Sequence, residues 1–452
     1  MLDDTICAPA TAPVHSSIAL IRISGPDTLR AVSAIFSNPD RLAPRHASYG
    51  SVADEGEIVD DVIVVFYKSP ASFTGEDMAE IGCHGNPVIV NRILALLLRG
   101  GARMAGPGEF CRRAFLHGKM DLTAAEAINH IVRARSDWEI QAAIRQMHGS
   151  LRTLVTAMRE DLVRLKADIE SGIDFSEEEI EFVTPAQARG QVDAIRESIE
   201  DMLRRCRIGN RLSGGIDVPI VGKPNVGKSS ILNLILNTER AIVSDTPGTT
   251  RDMIRESVRI GGIELNLYDT AGIDSTENAI EKKGIEFSRR KIESSPLVII
   301  VLDATTGIQD ADRTVIDHAS GRRRIYLVNK ADLAGDEKVE SVIAELGKAN
   351  ALSFSAYTGR GLAEFESLVT TLLRNEFAEM KDAFVADVRI ISLLENALVH
   401  ARETGELLSN KEPLEIIAFS IQEMLDTLGE ITGEITPDDV LSSIFDRFCI
   451  GK

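Results

Sequence analysis

VPIVGKPNVGKSSILNLIL, residues 218–236, is the stretch on which the reading of this chain turns. A β-rich run ends at Val221, residues 222–230 (GKPNVGKSS) contain G-x-x-x-x-G-K-S at 222–229, and an apolar helix-forming run follows. Strand, glycine loop and helix in that order make a phosphate cradle, because successive backbone N–H groups and a helix N-terminus can wrap an anion. Asn225, Val226 and Gly227 form the turn, and Lys228 neutralises the β- and γ-phosphate oxygens. Ser229 ligates Mg²⁺, and Ser230 completes the loop.

The neighbouring sequence extends this reading. The runs VPIVG, IELNLYDT, PLVIIVLD, RIYLVNK and ALSFSA are strand candidates that alternate with helices, the pattern of a doubly wound, mostly parallel α/β sheet spanning residues 213–373. NKAD follows one of these strands: Asp332 accepts from guanine N1–H and N2–H₂, Asn329 lies on the O6 side, and Lys330 stands between them. Such a site rejects adenine, since a buried acceptor left unpaired costs about 1–3 kcal/mol. SAYTGRGL (355–362) backs the base through Ser355 and Ala356. DTAG (269–272) gives Asp269 for water-mediated contact with Mg²⁺, Thr270 and Ala271 in the loop, and the Gly272 N–H for the γ-phosphate. SDTPGTT (244–250) supplies Ser244, Asp245, Thr246, Pro247, Gly248, Thr249 and Thr250, whose hydroxyl completes the metal shell when GTP is bound. Together these motifs read as a GTPase switch domain.

No glutamine follows DTAG to orient water, and no arginine finger is legible, although a finger is worth ~10³–10⁵-fold. Asn225 and the polar SDTPGTT stretch suit a monovalent cation, K⁺, in that role; the lesser alternative on residue type alone is that Asn225 is a plain loop residue.

The rest of the chain sets bounds. At 452 residues it is too long for one core, and 44% hydrophobic with 26% charged residues describes a globular protein. The first 118 residues mix β-rich runs (17–24, 60–67, 78–85) with helix, an α+β pattern. Residues 119–212 are helical: Leu151, Leu154, Val155, Met158, Leu162 and Leu165 share one face, and Val192, Ile195, Ile199, Met202, Leu203 and Cys206 share another. Residues 374–452 are helical again, so the expectation is a discontinuous helical domain with the α/β unit inserted. The start has no basic-then-apolar leader and no 18-residue apolar run occurs, so a cytoplasmic protein without a membrane span is expected. The five cysteines lack metal-ligand spacing, which suits a reducing compartment. A net charge of −19 argues against holding RNA by bulk electrostatics alone.

The motifs GKPNVGKSS, SDTPGTTRD, DTAGI and NKAD, with SFTGEDMAEIGCHGNPVI (72–89), GPGEFCRRAFLHGKMDLTAAEAI (106–128) and the terminal FCIGK (448–452), resemble the MnmE (TrmE) family of tRNA-modification GTPases along the whole chain and in the same order. The resemblance implies an N-terminal folate-binding domain that dimerises (1–118), a helical domain in two parts (119–212 and 374–452) and an inserted G domain (213–373). It implies a homodimer acting with the flavoprotein MnmG (GidA), as a heterotetramer or larger, on C5 of wobble uridine 34 in certain tRNAs. The group installed is aminomethyl or carboxymethylaminomethyl, and the one-carbon unit comes from 5-formyl- or 5,10-methylene-tetrahydrofolate.

By resemblance Asn225, Ser244, Thr246 and Thr249 map to a K⁺ site, Ser229 and Thr250 to Mg²⁺, and Glu281 to the glutamate that positions the attacking water. By residue type alone Glu281 is a solvated helix-start glutamate. Arg22, Glu80, Lys119 and Lys452 map to the folate site; alone, Arg22 reads as a strand-edge arginine and Lys119 as a surface lysine. The chain departs from the family at TAPVHSSIAL (11–20), where a glycine-rich basic loop is usual, and at Asp274.

Cys449 sits fourth from the end. Gly451 and Lys452 fit a lipid-anchor box badly. Packing beside Ile444, Phe445 and Phe448 is the reading from composition, whereas the resemblance points to a thiol delivered by the tail to the modification site. The rival function is an RNA-binding ribosome-assembly GTPase of the Era or Der kind; residues beyond 375 lack the GxxG loop of its RNA-binding domain.

Overall fold

The computed structural model describes residues 4–134, 136–174, 183–237, 255–261, 263–269, 295–373 and 382–452. The chain forms two compact units: residues 1–132, 144–200 and 392–452 make the first, and residues 133–143 and 201–391 the second. No described helix is long and apolar enough to cross a membrane.

The first unit contains a six-stranded sheet of β1 (Ile6–Pro9), β2 (Ser16–Ser24), β3 (Ala47–Asp54), β4 (Glu57–Tyr67), β5 (Met78–Gly85) and β6 (Arg103–Met104), in the order β3-β4-β5-β2-β1-β6. The pairings are antiparallel except β1 with β6. Side chains alternate across a strand. Ile21 and Ile23 of β2, and Ala79 and Ile81 of β5, therefore enter the core beneath the helix Pro87–Arg99, where Ile93 and Leu97 are fully buried. The intervening residues, Arg22 and Glu80, are set opposite one another by the β2–β5 register and emerge on the other face.

This unit also holds the helix Ser150–Asp174, which packs along Leu414–Thr432. The expected stripe is buried at Leu151, Val155, Met158, Leu162 and Leu165, and Ile169 extends it. Leu154 is a correction, since it is exposed. It follows Leu151 by three residues, as Val155 does by four; the helix turns Val155 to the core and leaves Leu154 on the flank. On the helix Pro185–Ser213 the expected residues from Val192 to Cys206 are all buried. A separate cluster joins Cys111, Leu122 and Ala125 to Leu441, Ile444, Phe445 and Phe448, bringing the last helix, Asp438–Phe445, against residues near 110–125.

The second unit carries a sheet of β7 (Ile216–Val221), β8 (Arg255–Ile260), β9 (Ile263–Asp269), β10 (Leu297–Asp303), β11 (Arg323–Asn329) and β12 (Ala351–Ser353), in the order β12-β11-β10-β7-β9-β8. Only β8 runs antiparallel. Every residue of β10 is buried, as expected of a central strand covered on both faces. Trp138, from the helix Asp137–Met147, packs against this core.

Candidate functional site

β7 lies between β10 and β9: the strands that follow it, β8 and β9, lie on one side and β10 to β12 on the other, and the crevice at its carboxyl end receives the 222–227 loop. Gly222 has φ +155°, and a Cβ there would strike the Val301 carbonyl, so only glycine fits. The loop closes through Asn225 (φ +63°) and Gly227 (φ +98°) onto the helix Lys228–Leu236.

The loop's carbonyls are taken by the protein. Lys228, itself buried, donates from Nζ to Gly222 O (2.8 Å) and Lys223 O (3.0 Å). Lys330 Nζ donates to Asn225 O (2.9 Å), and Asn329 Nδ2 to Val226 O (2.8 Å). A trans peptide points its N–H opposite to its C=O. The N–H groups of Val226 and Gly227 therefore face away from those partners and are the natural donors to an anion.

A cavity of about 420 Å³ adjoins the loop, lined by Gly227, Ser230, Asn329, Asp332, Leu333 and Tyr357 among others. Asp332 is exposed at this cavity, and the buried Ser355 hydroxyl donates to its Oδ1 at 2.6 Å, leaving Oδ2 for a ligand. Asn329 is only 2% exposed and both ends of its amide are engaged: Nδ2 with Val226, and Oδ1 with the Ala356 N–H at 3.0 Å. It ties the phosphate loop to the 355–362 loop, a role that the sequence reading of Asn329 near the O6 side of guanine did not include. The Ala356 N–H is spent on that tie. Lys330 also pairs with Asp303 Oδ2 at 2.7 Å. Burial works to raise the Asp303 carboxyl, but Lys330 and the Thr305 hydroxyl and N–H outweigh it and hold it below the usual carboxylate range.

Ser229 lies exposed in the first turn of the helix, and Asp269 ends β9. Ser244, Asp245, Thr246, Pro247, Gly248, Thr249, Thr250, Thr270, Ala271, Gly272 and Glu281 lie outside the described residues, as does Asp274.

The first unit holds a second site. Arg22 Nε meets Glu80 Oε1 at 2.9 Å, the Tyr67 hydroxyl reaches Glu80 Oε2 at 3.3 Å, and the Arg22 guanidinium stands 5.4 Å from the Phe73 ring centre. Glu80, Tyr67, Phe73, Arg45 and Lys119 line a cleft of about 410 Å³, with Lys119 Nζ bonded to Pro70 O at 2.9 Å. A carboxylate, an aromatic ring and surrounding cations form a donor set that fits a flat heterocycle with amide and amino edges and an anionic tail. Tyr67, Phe73 and Arg45 were missed in the sequence: Tyr67 and Arg45 lie in no recognisable motif, and Phe73 stands within the 72–89 motif without being singled out.

The carboxyl terminus docks against this site. Arg22 Nη1 donates to Gly451 O (3.4 Å), the Phe110 N–H to Lys452 O (3.1 Å) and the Gly108 N–H to Cys449 O (3.4 Å). Phe110 opens the helix Glu109–Leu116, so the tail satisfies an N–H that the helix cannot. Gly451 has φ +91°, and a Cβ there would collide with the Pro9 carbonyl. Ile444, Phe445 and Phe448 are buried while Cys449 is exposed, so packing does not account for the thiol. The other four cysteines are buried, and burial pushes Cys7 and Cys83 to about 11 and Cys111 and Cys206 to about 12. Burial lowers the Lys452 ammonium; the Cys111 and Cys449 thiols work against it and Arg22 with it.

Beneath the tail lies Arg113, 1% exposed. It bonds to Asp4 Oδ1 (2.7 Å), Glu76 Oε1 (3.1 Å) and Glu109 Oε1 (3.1 Å). Arg103 binds Asp4 and Glu109 from the other side. This network fixes the start of the helix that receives the tail.

The family model described as GTP-binding protein TrmE N-terminus matches residues 5–119, and the MnmE helical domain matches residues 122–449. The tRNA modification GTPase MnmE of Thermotoga maritima is 39% identical over 99% of this chain and all of its own length. Those of Alkaliphilus metalliredigens (39%, all of both chains) and Aquifex aeolicus (38%, 99% of this chain and all of the relative) are similar throughout.

Proposed function

The chain belongs to the MnmE (TrmE) family of tRNA modification GTPases and is a GTP hydrolase, and on that premise we propose that it is a K⁺-activated GTPase that works with an FAD-dependent MnmG partner. It acts as a cytoplasmic homodimer and, with MnmG, installs an aminomethyl or carboxymethylaminomethyl group at C5 of wobble uridine 34. A bound tetrahydrofolate supplies the one-carbon unit.

In the G domain Lys228 and the N–H groups of Val226 and Gly227 bind the phosphates, Ser229 and Thr250 hold Mg²⁺, and Asp332 with its Ser355 support selects guanine. Asn225, Ser244, Thr246 and Thr249 hold K⁺ beside the phosphates, where its charge replaces an arginine finger, and Glu281 orients the attacking water. In the first unit Glu80 accepts from the amide and amino edge of the pterin, while Arg22, Lys119 and Lys452 attract the glutamate tail. Cys449, an exposed thiol two residues before the Gly451 carbonyl that Arg22 holds, is the group the tail delivers. Net charge −19 leaves much of the tRNA contact to the partner.

The observation that carries this reading is the bond from Arg22 to the Gly451 carbonyl, 429 residues away, which sets the thiol-bearing terminus beside Glu80. The test is nucleoside mass spectrometry of tRNA from a strain lacking the protein, complemented with wild type or Cys449→Ser. The expected result is a 5-substituted wobble uridine with wild type, and its loss with the variant while GTP hydrolysis persists. Restoration by both excludes the thiol from the chemistry. Restoration by neither, with sound expression and a compatible MnmG, removes the tRNA reading and favours an assembly GTPase.

A further inference from the structure

Lys223, the second residue of the phosphate loop, has no part in the motif chemistry above, yet it is among the most fully satisfied cations of the second unit. Its ammonium donates to Thr306 Oγ1 (3.1 Å), Gln309 Oε1 (3.0 Å) and Asp312 Oδ2 (3.1 Å). An ammonium has three protons, and all three are used, so Lys223 cannot also donate to a phosphate in this geometry. Its partners are unusual in their burial. Asp312 is 1% exposed, its Oδ2 also accepts from the Gln309 N–H at the start of the helix Asp310–His318, and its Oδ1 has no hydrogen-bond partner. An acid so far removed from water needs its cation nearby.

The same residue offers its main-chain carbonyl to Lys228 Nζ. Lys223 thus ties two things together: its side chain anchors the loop to residues 306–312, just beyond β10, and its carbonyl helps aim the phosphate-binding lysine. Lys330 performs the matching task on the far side of the loop, joining Asn225 O to Asp303 at the end of β10.

We propose that Lys223, paired with Asp312, is a positioning residue for GTP hydrolysis: it holds the phosphate loop in register with the end of β10 and so places Lys228. The proposal rests on this loop being the nucleotide site. Because the tie acts on the phosphate seat whether the ligand is GTP or GDP, its loss weakens ground state and transition state alike.

The test uses the full-length protein, a fluorescent GDP analogue for affinity, steady-state GTP hydrolysis and thermal melting. The variants are Lys223→Met, and Lys223→Met with Asp312→Asn, which removes both charges and strands neither. Both are expected to weaken GDP binding and raise KM about 10- to 100-fold, with kcat changing less than about threefold; the double variant is expected to melt close to wild type. GDP affinity and KM within about twofold of wild type in either folded variant would overturn the proposal, leaving Lys223 a matter of stability alone. Lys228→Ala serves as the control. If it too leaves GDP binding intact, the nucleotide reading of this loop fails, and that failure is distinct from a failure of the Lys223 proposal.

Discussion

The two sites are built by opposite means. The phosphate seat is local: residues 222–230 supply its loop and its lysine, and the loops that follow β10 and β11 hold it. The tail site is assembled from Arg22, Glu80, Lys119 and residues 449–452, which share no segment and meet only because β2 pairs with β5 and the terminus returns to them. A local site tolerates rearrangement elsewhere in the chain. A dispersed one is only as well ordered as the scaffold between its parts.

The strongest test of the local site is Lys228→Ala. Removing its charge from the phosphate seat is expected to cost roughly 10²–10³-fold in kcat/KM for GTP, read by phosphate release. The first unit should keep its fold, which spectroscopy of the variant will check. Comparable hydrolysis by the variant would contradict the proposed role.

The scaffold of the dispersed site breaks at Arg113. Arg113→Met takes the guanidinium from the half-hidden Glu76 and leaves Glu109 with Arg103 alone, and about 3–5 kcal/mol of stability should be lost, read by thermal or urea unfolding. If melting is unchanged, the network is not what holds the helix Glu109–Leu116.

Gly451→Ala sharpens the comparison. Its φ of +91° and the Pro9 carbonyl leave no room for a Cβ, so the docked tail should be destabilised by about 1–3 kcal/mol. Modified uridine should fall severalfold in mass spectra, while GTP turnover is retained; equal losses of both would mean that the two sites are not separable.

The smallest effect concerns acidity. Asp303 has a folded-state pKa below its unfolded value, so its stabilisation is present above the ordinary carboxylate range and is lost as pH falls through the lower folded value. Asp303→Asn should lower stability near neutrality and flatten the loss below about pH 4, so that variant and wild type converge in acid, as followed by unfolding at several pH values.

The legibility of each element follows its physics. The strand at 78–85 and the parallel strands of the second unit could be read because apolar runs and alternation report burial directly. β3, with ASYGSVAD, and β8, with RESVRI, were not anticipated: small or charged residues dominate them, and they pair at sheet edges where neighbours, not their own composition, make them strands. Likewise Tyr67 and Arg45 give no motif by which to be found.

By itself the sequence determined the phosphate loop, the strand-helix alternation around it and the family, because those depend on residues close in the chain and on their spacing. Only the tertiary structure decided that Asn329 spends both ends of its amide on main chain, that Lys223 is held by three acceptors, and that Gly451 lies against Pro9. Each is a contact between distant residues, fixed by packing and register, and the spacing of letters along the chain carries no record of the partner each one meets.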